Sequence, residues 1–331
     1  MYKRILVTGC AGFIGSHLTD HLLSKGFEVV GVDNLVNGKL DNLSDANKNP
    51  KFTFVNADIL DANKMEELSH RIDVVYHLAC LGVRHSIHSP FENHRVNAEG
   101  SLVMLQAALK HKIKKFYYIS TSEIYGDVKV FPIDESAAPL PKTVYGSSKL
   151  AGENYAYSYY KCYGMDVTIL RIFNNYGPRA HYEGDAGEVI PRSVVNILAG
   201  KNPMVFGDGQ VTRDFFYVKD TAKVLIDLME LNNISGEIIN VGTGEEITMK
   251  DLLNKLIVLM GKQDSIRIDF LPDRPADVPR LWVNNKKFKS ITNFNSGISF
   301  DEGLKATINF YTELSKQKKL LSEIVVENWK K

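Results

Sequence analysis

The chain holds 331 residues, 44% hydrophobic and 24% charged, with a formal net charge of +1. That length supports a well-buried core and about two lobes, and the composition is that of an ordinary globular protein. Near-neutral charge excludes a global field for nucleic acid, membrane surfaces or acidic polymers, so an anionic ligand must be gripped by local charges.

The three cysteines, Cys10, Cys80 and Cys162, are scattered and odd in number. They exclude a disulfide framework and a structural zinc site, and they fit a reducing compartment. The opening "MYKRILVTGCAGFIG" is basic and then apolar, as a signal peptide is. Its apolar run breaks at Gly9, which makes it a first strand instead. No run reaches the roughly 18 apolar residues of a membrane helix. The expectation is a soluble cytoplasmic protein.

In chain order, "RILVT" reads as a strand and "FIGSHLTDHLLSKG" as a helix closed by Gly26. "FEVVGVD" and "KFTFVNAD" are strands, "DANKMEELS" is a helix capped by Asp61, and "DVVYHLA" is a strand. "NAEGSLVMLQAALKH" is a helix and "KFYYIS" a strand; "KTVYGSSKLAGENYAYSYYKCYG" and "MDVTILRIF" repeat that order. Strands alternating with helices predict βαβ units and a parallel sheet, and near-continuous apolar strands predict helices on both faces. The fold class expected is α/β, a Rossmann-type doubly wound sheet with a smaller α/β substrate lobe.

After residue 173 the pattern loosens. The expected division is a dinucleotide-binding domain over 1–173, with returning segments near 213–243. A smaller lobe takes 174–212 and 244–316. "DFFYVKDTAKVLIDLMEL" and "GEIINVGTG" are the segments expected to return to the main sheet. Thr248 with Asp251, and Ser299 with Glu302, have capping-box spacing and should start helices. The tail over 317–331 reads as a charged amphipathic helix or a frayed end.

"VTGCAGFIGSH" places Gly9, Gly12 and Gly15 at the first strand-to-helix junction. Glycines there permit a tight turn and close approach to a pyrophosphate, while the helix N-terminus offers free N–H groups and a positive dipole end. The next strand ends in Asp33, about 20 residues on, where a carboxylate accepts from ribose hydroxyls and repels a 2′-phosphate. NAD is therefore expected over NADP. Asp58, ending the third strand, reads equally as an adenine contact or as the cap of the following turn.

Tyr145 and Lys149 stand at i and i+4 of a predicted helix and share its face. An ammonium beside a phenol favours the phenolate, which takes a proton from a sugar hydroxyl near neutral pH. "YISTSE" ends a strand on the side where doubly wound sheets bind ligands, which puts Thr121 and Glu123 beside Tyr145. Tyr155, Tyr157, Tyr159, Tyr160 and Tyr163 read as packing or subunit-contact residues. The histidines of "LGVRHSIHSPFENH" lack matching carboxylate or cysteine ligands, so that segment reads as a substrate loop, with Arg84 and Ser86 near the sugar, and no metal is expected.

The motifs "TGCAGFIG", "VDN", "YHLAC", "STSEIYG", "YGSSK", "RIFNNYGPR", "TRDFFYVKD" and "RPADV" occur in one order along nearly the whole chain. In that combination the chain resembles the extended short-chain dehydrogenase/reductase family, in particular its nucleotide-sugar epimerases, dehydratases and decarboxylases. The resemblance implies a catalytic hydroxyl, base and lysine at Thr121, Tyr145 and Lys149. It places Phe13, Ile14, Asn34, Ile59, Leu78, Ala79 and Asn97 along the cofactor, and Asn174, Arg213 and Arg274 at the substrate diphosphate. Arginine forks suit phosphate oxygens; Arg179 and Arg280 read rather as surface ion pairs, although Arg280 could serve a uronate carboxylate. The resemblance also implies a nucleotide-diphosphate sugar as substrate and a homodimer built through two helices per subunit.

Glu123 separates the reactions. A 4-epimerase needs no base at sugar C5, whereas a 4,6-dehydratase does, and a partly desolvated carboxylate would serve. "TSE" resembles the dehydratase and glucuronate decarboxylase pattern, with Ser122 where dTDP-glucose dehydratases carry Asp. The expectation is a nucleotide-sugar 4,6-dehydratase, with a 4-epimerase or uronate decarboxylase as the alternative enzyme and a dinucleotide-sensing module as the non-enzyme alternative.

Overall fold

The computed structural model describes residues 2–330. The first half runs β1 (Arg4–Thr8), α1 (Phe13–Ser24), β2 (Glu28–Asp33), β3 (Phe52–Asn56), α2 (Ala62–Ser69) and β4 (Val74–His77). It continues through α3 (Val83–His88), α4 (Pro90–His94), α5 (Gly100–Lys110), β5 (Lys115–Thr121), α6 (Val144–Tyr163) and β6 (Val167–Ile172). A π-helical turn, Arg95–Glu99, joins α4 to α5. The Asp61 carboxylate caps α2 by accepting from Lys64 N, and α6 ends at Gly164 in the left-handed conformation, both as the spacing predicts.

The later elements are β7 (Asn174–Tyr176), α7 (Val189–Leu198), β8 (Met204–Phe206), β9 (Thr212–Arg213), β10 (Phe215–Tyr217) and α8 (Val218–Met229). They end with β11 (Ile238–Val241), β12 (Ile247–Thr248), α9 (Met249–Leu259), β13 (Asp269–Leu271), β14 (Arg280–Leu281), α10 (Lys286–Thr292) and α11 (Phe300–Ser315).

Seven strands pair in parallel in the order β11-β6-β5-β4-β1-β2-β3. Alternate residues of each strand enter different cores, because successive side chains point to opposite faces. Ile5, Val7, Tyr76, Tyr117 and Leu170 pack with Leu18 and Leu22 of α1 and Leu225 and Leu228 of α8. Leu6, Val75, Phe116, Tyr118 and Ile169 face Met65 of α2, Met104 and Leu105 of α5 and Ala156 of α6. At about 25 cal/mol per Å² of apolar surface removed from water, these two layers are the main favourable term of the sheet. Lys115 is buried within β5 because its ammonium donates to the carbonyls of Met229 and Leu231 at the C-terminal end of α8. A cation there satisfies carbonyls that have no helical partner.

"GEIINVGTG" returns to the sheet as β11, beside β6. "DFFYVKD" does not: β10 pairs only with β7, in a separate two-stranded sheet, and α8 carries the chain back onto α1. A third core joins α7, α9 and α11 through Val194, Ile197, Leu252, Leu256, Leu304 and Tyr311. Ser299 and Glu302 form a reciprocal capping box at α11. At α9, Thr248 accepts from Asp251 N, but its backbone N–H is not capped in return.

The tail is neither a long helix nor frayed. A short turn, Leu320–Glu323, leads to chain that docks on the smaller lobe with Leu320, Asn328 and Trp329 buried. No described helix is long and apolar enough to cross a membrane.

Candidate active site

The chain reverses direction across the sheet between β1 and β4, and ligands of open α/β sheets bind at that switch point, beyond the strands' carboxyl ends. A cleft of about 920 Å³ lies there, running from the glycine turn past Tyr145 to the smaller lobe.

At one end, Gly9 takes a φ of +72°, the left-handed region that favours glycine. Space is as restrictive as conformation: a Cβ on Gly9 would stand 2.9 Å from Ala79 N, and one on Gly15 would stand 2.1 Å from Gly9 O. No side chain caps α1, which leaves the N–H groups of its first turn to a ligand. Gly12, Phe13 and Ile14 line the same wall.

Asp33 stands at the end of β2, its two oxygens accepting from Ala11 N at 3.0 Å and Leu35 N at 2.8 Å. Burial raises its pKa, although those two N–H bonds favour the anion. Each oxygen keeps a lone pair for a ribose diol, and a phosphate ester there would meet a buried carboxylate. Asp58 caps the following turn, its Oδ1 accepting from Leu60 N, and the residue also lines the cleft. Asn34 donates to its Oδ2 at 3.2 Å, and Ile59, Leu78 and Ala79 complete the wall. The glycine cradle, the uncapped helix and the ribose carboxylate fit NAD.

Asn97 does not line this cleft. Its side chain accepts from Leu81 N and donates to Leu81 O, both at 2.9 Å, and so fixes the wall from behind. The cause is the π-helical turn, which rotates Asn97 into the interior. Beneath the wall, His77 bridges Thr8 Oγ1 and Ser101 Oγ, and burial lowers its pKa to about 3.

The reactive groups converge at the end of β5. The strand stops at Thr121, whose Oγ1 accepts from Glu123 N and tightens a single turn over Ser122–Ile124. Thr143 caps α6 by accepting from Gly146 N, and Gly146 lies so close to this turn that a Cβ there would stand 2.9 Å from Glu123 O. That contact brings Tyr145 beside Thr121 at one edge of the cleft.

Burial pushes the Tyr145 phenol well above its ordinary pKa, with Cys80 and Glu123 acting in the same direction and the nearby Thr121 hydroxyl opposing them. Lys149 is buried one turn along, but its ammonium stands 4.5 Å above the Tyr118 ring. The cation is held by an aromatic face, so its lowering effect on the phenol is not the dominant influence.

Glu123 also has a raised pKa. Burial is the largest cause, while Arg213, Arg274 and Arg84 lower it through charge and Asp277 raises it. Behind it, a buried network braces the turn. Arg171 of β6 donates to Glu153 of α6 at 2.7 Å and to the Tyr125 hydroxyl at 2.8 Å, and Ser120 donates to Glu153 at 2.8 Å.

At the far end of the cleft, Arg213 and Arg274 share Asp277, at 2.8 Å and 2.9 Å. Burial works against ionisation of Asp277, but the two guanidiniums outweigh it and hold its pKa low. Asn174 lines the same region, and its Oδ1 is buried without a hydrogen-bond partner. Arg84 reaches Glu188 at 3.4 Å and leaves Nε unpaired.

Ser86 does not reach the cleft, since its hydroxyl donates back to Val83 O within α3. Arg280 lies outside too, paired with Glu246 and stacked between Phe131 and Trp282, and Arg179 pairs with Asp20. Among the described residues, no group of three His, Cys, Asp or Glu could hold a metal ion.

Sequence reasoning missed Arg192, Glu188, Phe206 and Trp329, all of which line the cleft. Burial lowers the Arg192 pKa to about 10, and the charges of Arg84 and Arg274 add to that. "EVIPRSVVNIL" carries no local sign of this, because an arginine in a helix is ordinarily solvated. A tryptophan among charges in "VENWKK" was the one available hint.

Comparison with known proteins agrees with this geometry. Residues 6–307 match the family described as GDP-mannose 4,6 dehydratase. The chain is similar to a putative UDP-glucose 4-epimerase of Methanocaldococcus jannaschii, 37% identical over 92% of this chain and 97% of that one. It is also similar to a UDP-N-acetyl-alpha-D-glucosaminuronate decarboxylase of Bacillus cytotoxicus, 36% identical over 95% and 99%. The solved structure of DesIV, a dTDP-glucose 4,6-dehydratase of Streptomyces venezuelae with NAD bound, superposes with a TM-score of 0.89 at 30% identity, covering 96% of this chain and 99% of that one. The chain belongs to the NAD-dependent nucleotide-sugar epimerase and dehydratase family, within the extended short-chain dehydrogenases/reductases.

Proposed function

We propose that the protein is a nucleotide-sugar 4,6-dehydratase that works through a 4-keto sugar. The observation that carries this reading is Glu123, a desolvated carboxyl with a raised pKa in the same cleft as Tyr145 and Thr121. A carboxylate in such surroundings is a stronger base than one in water.

NAD⁺, held by the glycine turn and Asp33, would supply the redox chemistry, a hydride store filled from sugar C4 and emptied at C6. Tyr145 takes the C4 hydroxyl proton while Thr121 holds that oxygen in place. The 4-ketone acidifies C5; Glu123 removes the C5 proton and passes it to the departing C6 hydroxyl, so that water leaves, and a hydride at C6 with a solvent proton at C5 completes the product. Asn174, Arg213 and Arg274 hold the diphosphate, which sets the sugar's reach to Tyr145. The positive charges of Lys149 and, with NAD⁺ bound, of the oxidised ring would favour the phenolate.

A second reading, a uronate substrate, is favoured by Arg84, which lines the same cleft as Glu123 and keeps its Nε buried and unpaired. A guanidinium there suits a C6 carboxylate, and decarboxylation would follow from the same 4-ketone. The chain is further expected to form a homodimer through α5 and α6, whose Leu102 and Tyr157 are exposed. Light scattering would show this as a doubled mass.

The deciding experiment incubates the purified protein with UDP-, dTDP-, CDP- and GDP-sugars and uronates in deuterated water. Dehydration gives a 4-keto-6-deoxy product with deuterium at C5. Glu123→Gln is expected to lower that turnover about 10²–10⁴-fold, the usual reach of a general base. A product inverted only at C4, formed equally well by Glu123→Gln, would replace dehydration by epimerisation.

A further inference from the structure

The family match ends at residue 307, yet the last residues of the chain reach the cleft. After α11 the chain crosses the smaller lobe and is fastened at several points. Gly184 N donates to Glu323 O at 3.2 Å, and the Tyr182 hydroxyl donates to the Glu323 carboxylate at 2.9 Å. Arg192 Nη2 donates to the carbonyls of Val325 and Val326 at 2.8 Å and 3.2 Å, and Asn328 donates to Gly184 O at 3.1 Å. A backbone held by a buried guanidinium and a buried amide is a built feature, since an unpaired group at either place would be costly.

These bonds bring Trp329 into the cleft wall, where its indole meets the Phe206 ring edge-on at 4.9 Å. The Arg274 guanidinium stands 5.8 Å over the other partner of that pair, Phe206. The order along the cleft is thus Tyr145, then the arginines that share Asp277, then two aromatic side chains. A nucleoside diphosphate has the same order of parts beyond its sugar: a diphosphate, then a planar base. Arg192 serves both ends, since it tethers the tail and keeps Nε buried and unpaired beside the anion site.

We propose that this C-terminal strap is a wall of the nucleotide subsite, with Trp329 forming, against Phe206, the surface on which the nucleobase rests. The proposal rests on reading the cleft as a nucleotide-diphosphate-sugar site, and it adds a base-recognition residue that lies outside the matched family region. Contact between a base and an aromatic side chain tolerates several bases, so base choice would depend on slot width more than on hydrogen bonding.

Calorimetric titration of the full chain with UDP, dTDP, GDP and inorganic pyrophosphate tests it. Trp329→Ala is expected to weaken the best-bound nucleoside diphosphate on the order of tenfold while leaving pyrophosphate unchanged. Trp329→Phe keeps an aromatic wall and should stay within roughly threefold of the parent. The chain has two tryptophans, Trp282 and Trp329. Emission should therefore respond to the nucleotide but not to pyrophosphate, and that difference should vanish in Trp329→Phe. This readout decides the matter even if the alanine variant does not fold. Unchanged or tighter nucleotide binding by Trp329→Ala, or equal weakening toward pyrophosphate, overturns the role of the strap alone. A parent protein that binds none of the three nucleotides overturns it together with the reading of the cleft.

Discussion

The two ends of the cleft are built on different principles. The dinucleotide end is made by backbone: a positive φ at Gly9, a helix start without a cap, and glycines packed too closely for a Cβ. The opposite end is made by side chains: Arg84, Arg192, Arg213 and Arg274 converge from four segments and are held by Glu188, Asp277 and the docked tail. A backbone site is rigid and accepts one shape. A side-chain site can change its specificity residue by residue while the sheet beneath it stays the same, which fits relatives named as epimerase, decarboxylase and dehydratase.

Substitutions can separate the two ends, and the largest effect is expected between them. Arg171→Met leaves Glu153 buried without its partner and should cost about 3–5 kcal/mol in urea unfolding. The turn carrying Thr121 and Glu123 would loosen too, so turnover should fall even under conditions where the variant is folded. Unaltered stability would mean that the network does not brace the turn.

Acid should destabilise next. His17 on α1 bonds Pro178 O, and burial lowers its pKa to about 4 from the ordinary 6.5. The folded chain therefore binds fewer protons than the unfolded chain in that window. Its contribution is complete above about pH 6.5 and is lost as pH falls toward 4, by roughly 3 kcal/mol. His17→Gln should flatten that limb of a melting-temperature profile against pH.

Arg213→Met removes a guanidinium from the diphosphate and should weaken nucleotide-sugar binding by about 1.5–3 kcal/mol, seen as a raised KM. Dinucleotide retained on purification should not change. The converse variant, Gly15→Ala, forces a Cβ onto Gly9 O and should cost about 1–3 kcal/mol and expel the dinucleotide. Pyrophosphate binding at the arginines should survive in that variant, and its loss would show that the two ends are coupled.

The sheet was legible because its signals are local. Alternation of apolar runs, the glycine turn and the Asp33 spacing all lie within one βαβ unit, as do Tyr145 and Lys149 on one helical face. Thr121 and Glu123 were placed beside Tyr145 because strand ends and helix starts meet at one edge of such a sheet. Asn97 was legible as a residue but not as a role, since a π-helical turn, with no clear local pattern, rotates it behind the wall. The phenol's surroundings were legible only in part. The i, i+4 spacing put Lys149 near Tyr145, but burial and the face of Tyr118 decide where that cation acts.

Periodicity and turn chemistry by themselves determined the parallel sheet, the glycine turn ahead of its first helix and the shared helical face of Tyr145 and Lys149, because each depends on residues a few positions apart. Tertiary structure alone decided that Arg192 lines the cleft with Arg84 and Arg274, and that Trp329 joins Phe206. Those contacts link segments far apart in the chain, and only packing of the smaller lobe brings them within a few ångströms.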